Sequence, residues 1–193
     1  MNIDPATVQD VSYRETGQAQ APIRPTFHFM MARPAHVMAL GFGAGLSPKA
    51  PGTMGTLWAW VVFAMLQQRL TEVQWGVLIG ISTLAGWWVC TVTARNLRLP
   101  DPRCVVWDEI AAFWLVLWLI NPGSFWSQLV AFVLFRFFDA VKPGPVAWAD
   151  QLFHGVDPAQ DRRAWHKAGL GIMLDDYMAA FCTLLVLALW RVL

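Results

Sequence analysis

The stretch that decides the fold is VVWDEIAAFWLVLWLI, residues 105–120, in which two adjacent carboxylates open a long apolar run. A second stretch, GIMLDDYMAAFCTLLVL at residues 171–187, again combines two adjacent acids with an aliphatic run. Ionised carboxylates at the edge of lipid are costly unless a cation shares their site. The sequence therefore predicts membrane helices whose acids meet a cationic partner, and a divalent metal is the simplest such partner.

The composition favours a membrane domain with a substantial polar face. Hydrophobic residues make up 56% of the 193 residues and charged residues 14%, with 12 Trp and 12 Phe, which is more apolar than an average soluble domain. The mean hydropathy of +0.43 is modest for a chain that lies wholly in lipid. We expect an all-α, compact polytopic membrane bundle of short or tilted helices with a polar site that faces the cytoplasm. One domain would cover residues 26–193, and residues 1–25, which lack the apolar core of a signal peptide, would form a mobile polar tail.

Five apolar segments are long enough to form membrane helices. They cover residues 54–68, 74–94, 105–120, 125–138 and 172–190. A straight helix needs about 20 apolar residues to cross a bilayer, so the shorter segments must tilt or the membrane must thin locally. With five crossings and the N-terminus inside, 12 of the 14 basic residues lie on the cytoplasmic side, and only Arg69 and Arg191 lie outside. This partition follows the positive-inside rule and predicts that the acidic pairs lie near the cytoplasmic face.

The depth of the first acidic pair follows from a helix-start signal. Asp101 followed by Pro102 is typical of an N-cap and a first helical position. A helix that begins there would carry Asp108 and Glu109 about 10 Å along its axis, at 1.5 Å per residue. In the second acidic stretch, the preceding glycines at 169 and 171 weaken helical continuity into the last span.

A further group of charges occurs in FRFFDAVKPGP, residues 135–145. On a helix, Arg136 and Asp139 would share a face, and Pro143 would bias Lys142 toward an extended conformation as the helix ends. One interpretation is an Arg136–Asp139 ion pair at a membrane boundary. The other places Asp139 on a metal, with the arginine and the lysine holding an anionic substrate. The residues alone leave both interpretations open.

The segment GFGAGLSPKAPGTMGT, residues 41–56, precedes the first apolar helix. Its glycines and prolines predict an irregular loop, with Thr53 as the N-cap of the helix that follows. Backbone N–H groups at that helix start could receive phosphate oxygens, although the segment taken by itself favours a simple membrane-entry turn. The three cysteines are isolated and do not form a metal-binding pair, and Cys104, a possible thiol nucleophile, lacks the downstream arginine of a cysteine phosphatase loop.

Taken together, FGAGLSPKAPGTMGT, VVWDE, FRFFDAVKPGPVAWAD and HG followed by GLGIMLDD resemble the phosphatidylglycerophosphatase A family of integral-membrane lipid phosphatases. The motifs occur in family order between residues 40 and 180. The resemblance implies a phosphoric monoester hydrolase of phospholipid biosynthesis in the bacterial cytoplasmic (inner) membrane. Such an enzyme removes the terminal phosphate of phosphatidylglycerophosphate to give phosphatidylglycerol. Its implied partners are this lipid substrate and the surrounding membrane lipids, with no nucleic acid.

The resemblance also implies the site residues. The metal ligands and catalytic groups would be Asp108, Glu109, Asp139, Asp175 and Asp176. The substrate contacts would be Arg136, Lys142 and Asp150. We also expect Ser47, Lys49 and Thr53 of the loop before the first apolar helix to contact the substrate, although Lys49 is not itself part of the family pattern. Such hard oxygen ligands favour Mg²⁺, with Mn²⁺ as the alternative. One carboxylate would act as a base or a nucleophile, and both water attack and an aspartyl-phosphate intermediate remain open.

One departure from the family and three other functions bear on this interpretation. The stretch VDPAQDRRAWHKA, residues 156–168, is an insertion relative to the compact turn of the family, which leaves His154 outside the predicted site. A cation transporter could use the same acids as an ion path, but Arg136 and Lys142 would oppose cation passage. The DGxxAR motif of CDP-alcohol phosphotransferases is absent from the sequence. A purely structural membrane protein would pair these acids with bases and bind no metal.

Overall fold

The computed structural model describes residues 23, 25–151 and 164–192, and every regular element among them is helical. The α-helices are α1 Phe27–Met31, α2 Pro34–Ala39, α3 Pro51–Leu66, α4 Glu72–Leu97, α5 Trp107–Ile120, α6 Phe125–Val141, α7 Pro145–Gln151 and α8 Ala164–Val192, with a 3₁₀ helix at Gly41–Leu46. The predicted all-α class is confirmed. The predicted tail, residues 1–25, falls almost wholly outside the described residues.

The five longest helices, α3, α4, α5, α6 and α8, correspond to the five predicted apolar segments. The largest difference is at α8, which is continuous from Ala164, so the prediction that glycines weaken this region is wrong. A Cβ atom at Gly169 would lie only 2.1 Å from the Thr91 Oγ1 atom of α4. Glycine therefore permits the close approach of α8 to α4, and this packing offsets the low helix propensity of the residue.

Two of these helices are long and apolar enough to cross a membrane, Glu72–Leu97 and Ala164–Arg191, and Pro51–Leu66 is a shorter apolar helix. The surface of α4 carries large exposed apolar side chains at Val77, Ile81 and Leu84. A stripe of this kind is unfavourable in water and suits contact with lipid. Helix length and surface chemistry together indicate a membrane protein.

The helices run in alternating directions, which gives the bundle two distinct ends. At one end, the connection at 67–71 lies beside the turn at 121–124, where Gln128 Nε2 donates to Gln67 Oε1 at 3.5 Å. We call this the far end. It carries Arg69, and Arg191 lines a groove there together with Trp126. At the opposite end, which we call the acidic end, α3 and α5 begin and α6 ends.

Helix α5 forms the centre of the bundle. Its Trp107 and Trp114 indole N–H groups donate to Ser82 O of α4 at 3.1 Å and to Ala59 O of α3 at 2.9 Å. The residues of α5 between these two tryptophans are almost all buried, and Ile110 is fully buried. This packing fixes the rotation of α5 about its axis and therefore the direction in which its first-turn side chains point.

The predicted start of α5 is wrong. The helix begins at Trp107 with Val106 as its N-cap, and not at Asp101. The Val106 N–H donates to Ala39 O of α2 at 2.9 Å, and the Val105 N–H donates to Pro102 O at 2.9 Å in a turn, so residues 102–106 are held outside the helix. Asp108 and Glu109 therefore lie in the first helical turn and not about 10 Å along the axis. Acids in that position interact favourably with the helix dipole.

Two further local predictions are also wrong. Helix α3 begins at Pro51, with Ala50 in a left-handed conformation (φ 46°) at the N-cap, so Thr53 lies inside the helix and does not cap it. Proline is favourable at a first helical position because it has no N–H to leave unpaired. Lys142, at the C-cap of α6, is left-handed (φ 47°) and not extended. Its N–H donates to Phe138 O at 2.9 Å, which closes the helix.

Candidate active site

The structure brings the five predicted carboxylates together at the acidic end. The first turn of α5 supplies two of them, the last turns of α6 supply one and the middle of α8 supplies two: Asp108, Glu109, Asp139, Asp175 and Asp176. Asp108 is 7% exposed and Asp176 is 3% exposed. Asp176 lies within electrostatic range of carboxylates on both α5 and α6. The cluster is therefore a tertiary feature assembled from three helices.

Arg136 is the hub of this cluster. Its Nη1 atom lies 3.1 Å from Glu109 Oε1 and 2.6 Å from Asp139 Oδ2. The same Nη1 atom donates to Thr56 Oγ1 of α3 at 3.3 Å. The predicted shared face of Arg136 and Asp139 is confirmed, and the guanidinium also joins α3 and α5 to α6. Because the arginine side chain is only 19% exposed, these charge-assisted contacts are poorly screened by water.

A second ion pair links α6 to α8. Lys142 Nζ lies 2.6 Å from Asp175 Oδ2. The other oxygen of this carboxylate, Oδ1, accepts the Asp176 backbone N–H at 3.0 Å. Both oxygens of Asp175 are therefore bonded. Lys142 terminates α6 beside the acidic cluster, where it contributes a second positive charge.

Within the described part of the chain, three buried carboxylate oxygens make no hydrogen bond: Asp108 Oδ1, Glu109 Oε2 and Asp176 Oδ1. An unpaired buried carboxylate oxygen is unfavourable, because burial removes the water that would otherwise solvate it. Such oxygens are the donor type that Mg²⁺ and Mn²⁺ prefer. Across residues 25–151 and 164–192, however, no three Asp, Glu, His or Cys side chains are grouped closely enough to hold one ion together. The carboxylate oxygens are suitable ligands for a hard cation, but the side chains described here do not form a complete set of ligands in this arrangement.

The first turn of α3 packs directly against Glu109. A Cβ atom at Gly52 would lie 1.9 Å from Glu109 Oε1, and one at Gly55 would lie 3.2 Å from Glu109 Oε2. Only glycine allows this contact. Gly52, Gly55 and Thr56, which sequence analysis missed, occupy one face of α3. Their spacing of three and four residues in PGTMGT was the available signal, because it places small residues together on a helix.

The residues of the preceding loop are less closely linked to the cluster. Ser47 Oγ donates to Lys49 O at 2.8 Å in an exposed turn, and Thr53 is half-buried in α3. No hydrogen bond or ion pair described for Ser47 or Lys49 reaches the carboxylates. Ser47 lines a cavity of about 690 Å³, together with Arg103 and Cys104. Burial raises the pKa of the Cys104 thiol to about 11, so this thiol is protonated near neutral pH and is a poor nucleophile.

The remaining predicted residues lie in or near the segment that follows α6. Asp150 belongs to α7, and its side chain is not described. His154 lies outside the described residues, as does most of the 156–168 insertion, whose last residues form the start of α8. The structure therefore does not test the predictions for Asp150 and His154, which stay predictions.

The fold and the site define a helical bundle with apolar outer helices and a buried cluster of carboxylates organised by one arginine. Residues 37–191 match the family model for Phosphatidylglycerophosphatase A, and this chain belongs to that family. The predicted family and the predicted enzyme class, a phosphatase, are confirmed.

Individual relatives agree with this assignment. The chain is 37% identical over 155 residues to Phosphatidylglycerophosphatase A of Escherichia coli, covering 77% of this chain and 78% of that protein. It is 32% identical over 162 residues to the protein of the same name in Haemophilus influenzae, covering 84% and 91%. A Bacteroides thetaiotaomicron protein named Putative phosphatidylinositol-3-phosphatase is 33% identical over 170 residues, covering 83% and 98%. No solved structure matches the chain. These relatives give no support to a cation transporter.

Proposed function

We propose that this enzyme hydrolyses the terminal phosphate of phosphatidylglycerophosphate, which gives phosphatidylglycerol and inorganic phosphate in phospholipid biosynthesis. The observation that carries the proposal is the convergence of the family motifs on one buried cluster, where α3, α5 and α6 meet at Arg136. Two relatives bear the name of this activity. A phosphate monoester dianion requires charge neutralisation and an oriented attacking oxygen, and the cluster offers groups suited to both tasks.

The arginine is suited to receive the phosphate. All of its described contacts with the protein are made through Nη1, which leaves Nε and Nη2 as donors for substrate oxygens. Guanidinium donors fork onto phosphate oxygens, and Lys142 adds a compact positive charge at the end of the same helix. The partnerless oxygens of Asp108 and Asp176 are available acceptors for the proton of an attacking water.

We propose Mg²⁺ as the cofactor, with Mn²⁺ as the alternative. Its ligands would come from Asp108, Glu109, Asp139, Asp175 and Asp176. The buried oxygens without hydrogen-bond partners support this choice, because a bound cation would offset their desolvation. Such an ion would supply Lewis-acid stabilisation of the phosphoryl oxygens and activation of a water molecule. The chain's own charges would hold the substrate in position beside it.

The test measures phosphate release from phosphatidylglycerophosphate by purified protein in detergent. We expect turnover that disappears after chelation and returns when Mg²⁺ is restored, because the carboxylate cluster needs a cation. Full turnover by metal-free protein would exclude the metal. Phosphatidylinositol 3-phosphate serves as the comparison substrate, because one relative is named for it. Preferential turnover of that lipid would contradict the proposed substrate.

We also propose that the protein lies in the bacterial cytoplasmic membrane, with its active site facing the cytoplasm. The 12-to-2 partition of basic residues supports this orientation. A variant without native cysteines and with single reporters, Ser124→Cys or Lys49→Cys, tests it in intact cells. We expect a membrane-impermeant thiol reagent to label position 124 from outside and position 49 only after the membrane is opened. Labelling of both positions from the same side would contradict the orientation.

A further inference from the structure

Thr56 contacts the catalytic cluster without being one of its charged groups. It is fully buried in α3. Its hydroxyl donates to Gly52 O at 2.9 Å, one helical turn earlier. Because the hydroxyl proton is used in this bond, the Oγ1 atom presents a lone pair to the Arg136 Nη1 atom at 3.3 Å. The helix therefore fixes the direction in which this side chain accepts a hydrogen bond.

The other two contacts of the guanidinium are ionic. Glu109 and Asp139 attract Arg136 strongly, but both carboxylates sit beside the same Nη1 atom. The acceptor from α3 is neutral, and it belongs to the helix turn that also packs on Glu109 through Gly52. A neutral, directional contact can set the plane of the guanidinium without adding negative charge to a cluster already rich in carboxylates.

We propose that Thr56 is a positioning residue, which orients Arg136 so that the Nε and Nη2 donors face the substrate phosphate. The proposal rests on the function proposed above. Thr56 does not contact the reacting atoms and acts only through the arginine. Loss of its hydroxyl would leave the charge of the site unchanged, but the guanidinium group of Arg136 would no longer be held in one orientation.

The test compares Thr56→Val with Thr56→Ser. Valine keeps the shape of the side chain and removes the hydroxyl, so we expect kcat to fall by about tenfold or more, the loss typical of a hydrogen bond to a charged group. Serine keeps the hydroxyl and should recover turnover to within about threefold of wild type, because the bond to Arg136 is retained. Thr183→Val is the matched control. Thr183 is also fully buried and donates to the carbonyl one turn earlier, at 2.8 Å, in α8.

The outcomes separate this proposal from the proposed function. Wild-type turnover with an equally active Thr56→Val enzyme would overturn the positioning role and leave the proposed function intact. A wild-type protein without phosphatase turnover would overturn the proposed function instead. The contact itself is measured independently of activity by a double-mutant cycle of thermal unfolding with Thr56→Val and Arg136→Lys. We expect non-additive effects, and additive effects would overturn the positioning role.

Discussion

Replacement of Asp108 or Asp176 by asparagine should lower the rate of phosphate release by at least about 10²-fold, the smallest loss expected when a carboxylate that accepts a proton in the reaction is removed. The same replacements should preserve or raise the thermal stability of the metal-free protein. Both carboxylates are buried and carry an oxygen without a hydrogen-bond partner. An amide of the same shape removes the repulsion between neighbouring acids and is less costly to bury than a carboxylate.

The opposite signs of these two effects distinguish a functional carboxylate from a structural one. Activity and unfolding temperature would be measured on the same purified variants, both with Mg²⁺ and after chelation. Glu72→Gln is the control, because Glu72 is exposed at the far end, where its Oε1 atom accepts from Asn121 Nδ2 at 3.5 Å. Full activity of both asparagine variants, or parallel loss of stability and activity, would contradict the assignment of these acids to catalysis.

The sequence was informative wherever a local pattern determined the structure. Apolar length predicted the five long helices, and three-residue spacing predicted the contact between Arg136 and Asp139, which lies at 2.6 Å. The convergence of the acids was also predictable, since buried charges on separate apolar helices are stable only where they share partners. The family resemblance added which lipid phosphate to consider, a point that residue spacing does not address.

The errors occurred where tertiary contacts override local preference. The start of α5 is set by the bond from Val106 to Ala39 of α2, which no local signal at Asp101 could reveal. The continuity of α8 is set by the packing of Gly169 on Thr91. Thr56 was missed for the same reason, because its partner Arg136 is distant in the sequence and the two residues meet only in the folded bundle.

The substitution Gly52→Ala most directly tests the packing of α3 on the carboxylate cluster. The added Cβ atom would lie 1.9 Å from Glu109 Oε1 and 2.7 Å from Glu109 Cδ, so the carboxylate must move. Glu109 would then lose its 3.1 Å contact with Arg136. We expect phosphate release to fall by about 10²-fold, because a displacement of about 1 Å at a catalytic group has an effect of this size.

Gly80→Ala is the matched control for this substitution. A Cβ atom at Gly80 of α4 meets no atom within 4 Å. Alanine is also favoured over glycine inside a helix, by about 1 kcal/mol, so this variant should keep full activity and at least wild-type stability. Activity and unfolding would be compared for both variants in the same detergent. Gly52→Ala with wild-type turnover would show that Glu109 can move without consequence, and would remove this residue from the catalytic cluster.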